Sequence, residues 1–234
     1  MASELSMLYT TSTVVAAVSL PNIAPTISRI GAVIPVAQRA AETARALQTP
    51  TRGARAIRLE QVPRKAANRV MTAAVHFVGD AEALVRSAER MMSVGSDVIA
   101  KLQSPELRDS AYVGAGSELR RLYEELVVTR RTTGRVLRAL ETFDEAVRHA
   151  ARFSAAFEHA APGSGVALRE VATALAHLRS VVAESGVVDL LSDTIEGVSS
   201  VFDLWRKETY HLRVLQARAR NLREHRAILE GLAK

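Results

Sequence analysis

A mostly apolar seam follows alternating three- and four-residue steps through positions 117–161: Leu119, Leu122, Leu126, Thr129, Thr133, Val136, Leu140, Phe143, Val147, Ala150, Ser154, Phe157 and Ala161. This spacing draws one narrow seam along a helix, and only another helix can bury it. Such a helix would run about 65 Å at 1.5 Å per residue. A second seam, entered at Pro63 and ending near Gln103, passes through Ala67, Val70, Ala74, Phe77, Ala81, Leu84, Ala88, Met91, Gly95, Val98 and Leu102. Its two sides are sorted by size. Small residues on one side admit a neighbouring backbone, while Val, Phe, Leu and Met interdigitate on the other. The two helices are expected to pair as an antiparallel hairpin. Between them, Ser104-Pro105-Glu106 predicts a short helix, Val113-Gly114-Ala115-Gly116 a turn, and Ser117 the cap of the second long helix.

The pattern continues on both sides. Pro162-Gly163-Ser164-Gly165 is a stop, after which Leu168, Val171, Leu175, Leu178 and Val182 keep one phase until Ser185-Gly186 breaks it. A hairpin and a kink both satisfy that break. The final helix, Val187 to Leu232, takes up a seam at Leu191, Ile195, Val198, Phe202, Trp205, Thr209 and Leu212, then shifts to Leu215, Ala219, Leu222 and Leu229. Two successive three-residue steps overwind a coiled coil and allow partner helices to change there. Near the N-terminus, an apolar run reaches Pro21 and Pro25. Ile27, Ile30, Ile34, Ala37, Ala41 and Ala44 then mark an amphipathic helix that Pro35 kinks or restarts.

The chain therefore divides into an apolar, amphipathic segment (1–48), a connector rich in Arg, Pro and Gly (49–63), and a long-helix bundle (64–234). The expected fold is all-α, an elongated antiparallel helical bundle with long coiled-coil-like helices. Composition agrees: 48% hydrophobic residues are ample for a core, while 4% aromatics leave it to Ala, Leu and Val, which suit helix packing better than a sheet or a deep pocket.

Charge adds a layout that periodicity does not. The net charge is +6, and four of the 31 basic residues are lysines, so the chain is arginine-rich. Residues 1–75 hold nine basic and three acidic side chains and 205–234 hold eight and three, whereas 76–117 hold four and six and 153–204 two and seven. Basic ends and acidic inner segments suit head-to-tail or intramolecular complementarity, or an anionic partner met by the ends. The candidate contacts to such a partner are Arg52, Arg55, Arg58, Arg64 and Lys65 in and beside the connector, and Arg213, Arg218, Arg220, Arg223 and Arg226 in the final helix. A basic helix can enter a major groove or lie on anionic lipid, while the connector lacks the aromatics on which single-stranded bases stack.

No basic stretch precedes the first apolar run, and prolines interrupt it, so neither a secretory signal nor a convincing transmembrane helix is expected. A cytoplasmic or virion-associated location, at most peripheral to a membrane, fits that reading. The N-terminal region is expected to pack on the protein or on a neighbouring subunit; Val14, Val15, Val18, Leu20, Ile27, Ile30 and Ile34 are the candidates for the alternative, membrane-surface contact.

Catalytic and cofactor signatures are absent from the sequence. Without cysteine there are no disulfides, thiol nucleophiles or cysteine metal sites. Of the six histidines, His76 has Asp80 four residues on and His149 has Glu145 four residues before, but each pair supplies only two ligands. Glu124 and Glu125 diverge on a helix and do not make an acid–base pair. Gly114 and Gly116 lack the strand, third glycine and lysine of a phosphate loop. No cofactor, metal or small-molecule substrate is expected.

These features together point to a non-enzymatic structural or assembly protein, a homo-oligomer that self-associates through helical seams as a shell, scaffold or coat subunit does. The alternative is a peripheral membrane-binding or membrane-shaping module with an amphipathic N-terminus. In outline the chain is similar to membrane-bending domains of the BAR type, to phasin-like coat proteins and to viral helical shell proteins. A second alternative is nucleic-acid binding through the basic final helix. The polar seam positions Thr129, Thr133 and Ser154 are the expected places for packing to loosen or a neighbouring subunit to enter.

Overall fold

The computed structural model describes residues 20–48, 61–103 and 111–232, and among these every element is helical, with no strand. In chain order the helices are α1 (20–32), α2 (Ile34–Ala46), α3 (Gln61–Gln103), α4 (Ala111–Ala151), α5 (Ser154–Ala160), α6 (Ser164–Ser185) and α7 (Val187–Leu232). The protein is an all-α helical bundle.

Its centre is the α3–α4 pair, the most extensive interface in the chain. The Phe77 and Phe143 rings stand 5.8 Å apart, Asp80 pairs with Arg135, Ser87 meets Thr129 and Arg90 reaches Glu125. Partners fall in number on α4 as they rise on α3, so the helices are antiparallel. The seam expected on each helix is buried: Val70, Phe77, Leu84, Met91 and Val98 on α3, with Leu119, Leu122, Leu126, Val136, Leu140, Phe143 and Val147 on α4. Alternating three- and four-residue steps kept these side chains on one stripe, and the facing stripe covers them.

α3 has a second buried side. α1 and α2 run antiparallel along it, with Leu20 at Gly95, Gly31 at Val85 and Gln48 at Asn68. At position 95, a Cβ would stand 2.5 Å from Leu20 Cδ1, so glycine makes room for α1. At this position the small side of the sorted α3 seam receives the N-terminal helix as well as its expected partner, the helix of 117–161, whose Leu122 Cδ1 would stand 3.7 Å from the same Cβ. α2 also touches α6, and α6 packs on α4, so α2, α3, α4 and α6 close a ring around the core.

Two expectations need correction, and the alternative left open at Ser185-Gly186 resolves. The helix expected through 117–161 is broken at Arg152 and Phe153, whose amides bond back three residues to His149 and Ala150 at 3.3 and 2.8 Å. That tightening redirects the chain into α5, where Phe157 remains fully buried and packs edge-on near Phe153. Ser117 is not a cap, because α4 already begins at Ala111 and passes through Gly114 and Gly116 as helix. Ser185-Gly186 is a kink and not a hairpin: Gly186 adopts φ +55°, and α6 and α7 both pack on α4 instead of on each other. The short helix expected after Ser104 falls at 104–110, outside the described residues.

Polar groups also tie elements together. Asp144, 3% exposed, accepts from Arg148 on its own helix at 2.7 Å and from Arg179 on α6 at 2.6 Å. The Glu158 carboxylate at the end of α5 accepts from the amides of Gly163 and Gly165 at 2.7 and 2.9 Å, which satisfies donors at the start of α6. Those two amides, Gly163 first, hold the Glu158 pKa below its ordinary value, aided by Arg169 and opposed by desolvation.

Candidate functional site

The seam residues offered above as assembly contacts hold the chain to itself. Thr129 and Thr133, expected as loose points open to another subunit, are 0% exposed. The Thr129 hydroxyl meets that of Ser87 at 2.8 Å, and Thr133 donates to the Thr129 carbonyl at 2.9 Å. Both are satisfied within the bundle, which leaves no opening for a second copy there.

The described part of the N-terminal segment also faces the bundle. Leu20, Ile27 and Ile30 are buried, and Ile34 is half-buried, so the apolar face of α1 and α2 is covered by the bundle. Val14, Val15 and Val18 lie outside the described residues, as do Arg52, Arg55 and Arg58. The stretch Ser164–Asp203 reaches a mean hydropathy of 1.2, enough by length and composition to cross a membrane, but Gly186 kinks it. No other described helix is long and apolar enough.

α7 is the element with unspent surface. Its first half packs on α4 through Val187, Leu191, Thr194 and Val198, all buried. The Thr194 hydroxyl donates to the Leu190 carbonyl at 2.6 Å, which explains how a polar residue holds a core position where sequence phase pointed to Ile195. From Arg206 onward the described side chains are exposed, apart from Val214. Tyr210, Leu215 and Leu222 are 66%, 59% and 71% exposed. Leu215, Ala219 and Leu222 share one face at four- and three-residue steps, and Arg218 and Arg223 flank it on either side.

Charge on α7 is segregated by length. Between 187 and 203 it carries Asp189, Asp193, Glu196 and Asp203, all exposed, and no basic residue. Steps of four, three and seven residues place these acids on one face, opposite the face that meets α4. Beyond Asp203 the charge inverts: Arg218, Arg220 and Arg223 are exposed, while the side chains of Arg213 and Arg226 lie outside the description. Arg64 and Lys65 are exposed at the start of α3.

No group of three or more metal-ligating side chains comes together among the described residues. Glu124 and Glu125 are occupied by Arg120 and Arg90 in separate pairs at 2.9 and 3.3 Å. Comparisons with protein-family models, with curated proteins and with solved structures find no match to this chain.

Proposed function

We propose that the protein is a non-enzymatic structural subunit, an elongated bundle of coiled-coil-like helices that self-associates through α7, as a shell, scaffold or coat subunit does. The observation that carries this reading is the exposed acidic face on the first half of α7 followed by an exposed arginine-flanked apolar face on the second half. Two copies of α7 laid antiparallel bring each acidic half against each basic half. A two-fold pair therefore satisfies both charges at once.

The same charges disfavour pairing of like halves. Arg218 and Arg223 flank the Leu215–Leu222 stripe where a symmetric pair of basic halves would oppose arginine to arginine. The basic half thus selects an acidic surface, and the acidic half of a second copy is one.

Light scattering during size exclusion at low salt tests the reading. The expected result is a dimer or larger species that dissociates as salt rises, since the contact is electrostatic. Reversing both flanks (Arg218→Glu with Arg223→Glu) should yield a monomer with unchanged helix content by circular dichroism and a melting temperature that no longer depends on protein concentration. Mixing that variant with Asp189→Arg/Asp193→Arg should restore a complex. A monomeric wild type at high micromolar concentration and low salt would overturn the proposal. If the arginine reversals instead abolish binding to anionic vesicles, the membrane-surface alternative takes its place. Steeply salt-dependent binding of duplex DNA, lost with the same reversals, would select nucleic acid.

A further inference from the structure

A second surface, independent of α7, lies between α3 and α4. There the two helices leave a groove of about 890 Å³ whose lining includes Ala73, Ala139 and Ala146. Alanine is the reason for the hollow: between two long helices it fills least, so the flanking long side chains stand as walls around a low floor. From Lys65 to Asp80 the groove follows α3 for about 22 Å at 1.5 Å per residue.

Its walls are basic. Four cations, Lys65, Arg69, Arg135 and Arg138, line it against two acids, Asp80 and Glu145. Asp80 is engaged by Arg135 at one end. Lys65, Arg69 and Arg138 make no ion pair among the described residues, although they line one groove from facing helices. The register set by Asp80–Arg135 and Phe77–Phe143 places Arg138 near the Asp80 end of the groove and Lys65 and Arg69 toward the other, so the cations are strung along it and suit an extended anion. His76 and His149 add ring N–H donors to the two walls.

The lining also says what kind of anion fits. It contains no Phe, Tyr or Trp, so a nucleobase would find no ring to stack on. Two guanidiniums present paired donors that match phosphate oxygens, and cations spread along the groove suit more than one such group. We propose that the α3–α4 groove binds an extended, non-aromatic polyphosphorylated ligand, with Lys65 and Arg69 on α3 holding one end and Arg138 on α4 the other. Glu145 orients the ligand by excluding its anionic groups from that part of the wall.

The test is calorimetric titration of the full chain with inorganic tripolyphosphate at low salt. One ligand per chain is expected. The double variant Arg69→Ala/Arg138→Ala should weaken binding roughly tenfold or more, as loss of charge-assisted hydrogen bonds does, with an unchanged melting curve because both side chains are exposed. Arg130→Ala/Arg131→Ala, exposed on α4 outside the groove, should bind as the wild type does. No binding at millimolar tripolyphosphate, equal binding by the groove variant, or equal loss in the Arg130/Arg131 variant would each overturn the proposal. A parallel arm with vesicles bearing phosphorylated lipid assigns the source of the phosphate. Loss of vesicle binding in the groove variant alone points to a headgroup, and tripolyphosphate binding without vesicle binding points to a soluble ligand.

Discussion

The hydroxyls of Ser87 and Thr129 meet at 2.8 Å inside the α3–α4 interface, both shut off from solvent. Each is the other's side-chain partner across a seam that is mostly apolar. Removing one strands the other, at about 1–3 kcal/mol for an unsatisfied buried polar group. Ser87→Ala and Thr129→Val should therefore each lower the melting temperature, while the double substitution should lower it by less than their sum. A double-mutant cycle from denaturant melts measures that coupling. Light scattering should show no change in oligomeric state for any of the three, because Thr129 faces its own chain.

Asp144 offers a contrast between buried and exposed ion pairs. Its carboxylate is buried and shared by Arg148 and Arg179, whereas Arg120–Glu124 lies on the surface of α4. Asp144→Ala should destabilise the protein by about 1.5–3 kcal/mol, since it removes two charge-assisted hydrogen bonds and detaches α6 from α4. Glu124→Ala should cost no more than about 0.5 kcal/mol. Urea midpoints for the two variants decide the comparison.

Glu158 ties stability to pH in one direction. Its folded pKa lies below the ordinary 4.5 because the ionised carboxylate accepts from Gly163 and Gly165. The stabilisation is therefore fully present above 4.5 and is lost as pH falls through the depressed folded value. Between about pH 6 and about pH 3, Glu158→Gln should flatten part of the fall in melting temperature seen for the wild type. Parallel profiles for the two proteins would show that the carboxylate does not cap α6.

Two helical glycines on α3 should respond with opposite signs. A Cβ at Gly79 meets nothing within 4 Å, so Gly79→Ala should stabilise α3 by about 0.5–1 kcal/mol through helix propensity. At Gly95 the same methyl would displace Leu20, and Gly95→Ala should destabilise by about 1–3 kcal/mol as an overpacked contact does. Thermal melts of the pair provide the check, and hydrogen exchange should place the Gly95→Ala loosening in α1.

Much of the core was legible because helical periodicity is a local property. Leu122, Leu126, Val136 and Leu140 are spaced so that any helix must align them, and they are buried as that spacing requires. The break at Arg152 and Phe153 sits beside Ser154, a polar seam position where packing is expected to loosen, but the three- and four-residue steps run on through it, so the spacing alone shows no turn. What bends the chain is a tightened turn whose Phe153 ring packs between His149 and Phe157, a local contact without a spacing signature. Thr194 was missed because its hydroxyl bonds to the Leu190 carbonyl, which lets a polar residue occupy an apolar position. The α3–α4 groove could not be read either. His76 with Asp80 and Glu145 with His149 looked like separate helix-surface pairs until antiparallel packing brought all four to one hollow.

The sequence by itself determined that this is a helical protein, where its long helices lie, and which stripe of each is buried, because three- and four-residue spacing acts within a single helix. It also placed the acidic and basic halves of the last helix, since charge is read directly from the residues. Only tertiary structure decided which stripes meet. It put α1 and α2 on the second face of α3, closed Thr129 against Ser87, turned Gly186 into a kink and left Leu215, Ala219 and Leu222 of α7 exposed. The physical reason is that a seam states only that it must be buried. Close approach at Gly95, the shared carboxylate of Asp144 and the phase of facing side chains select the partner, and these exist only once the helices are packed.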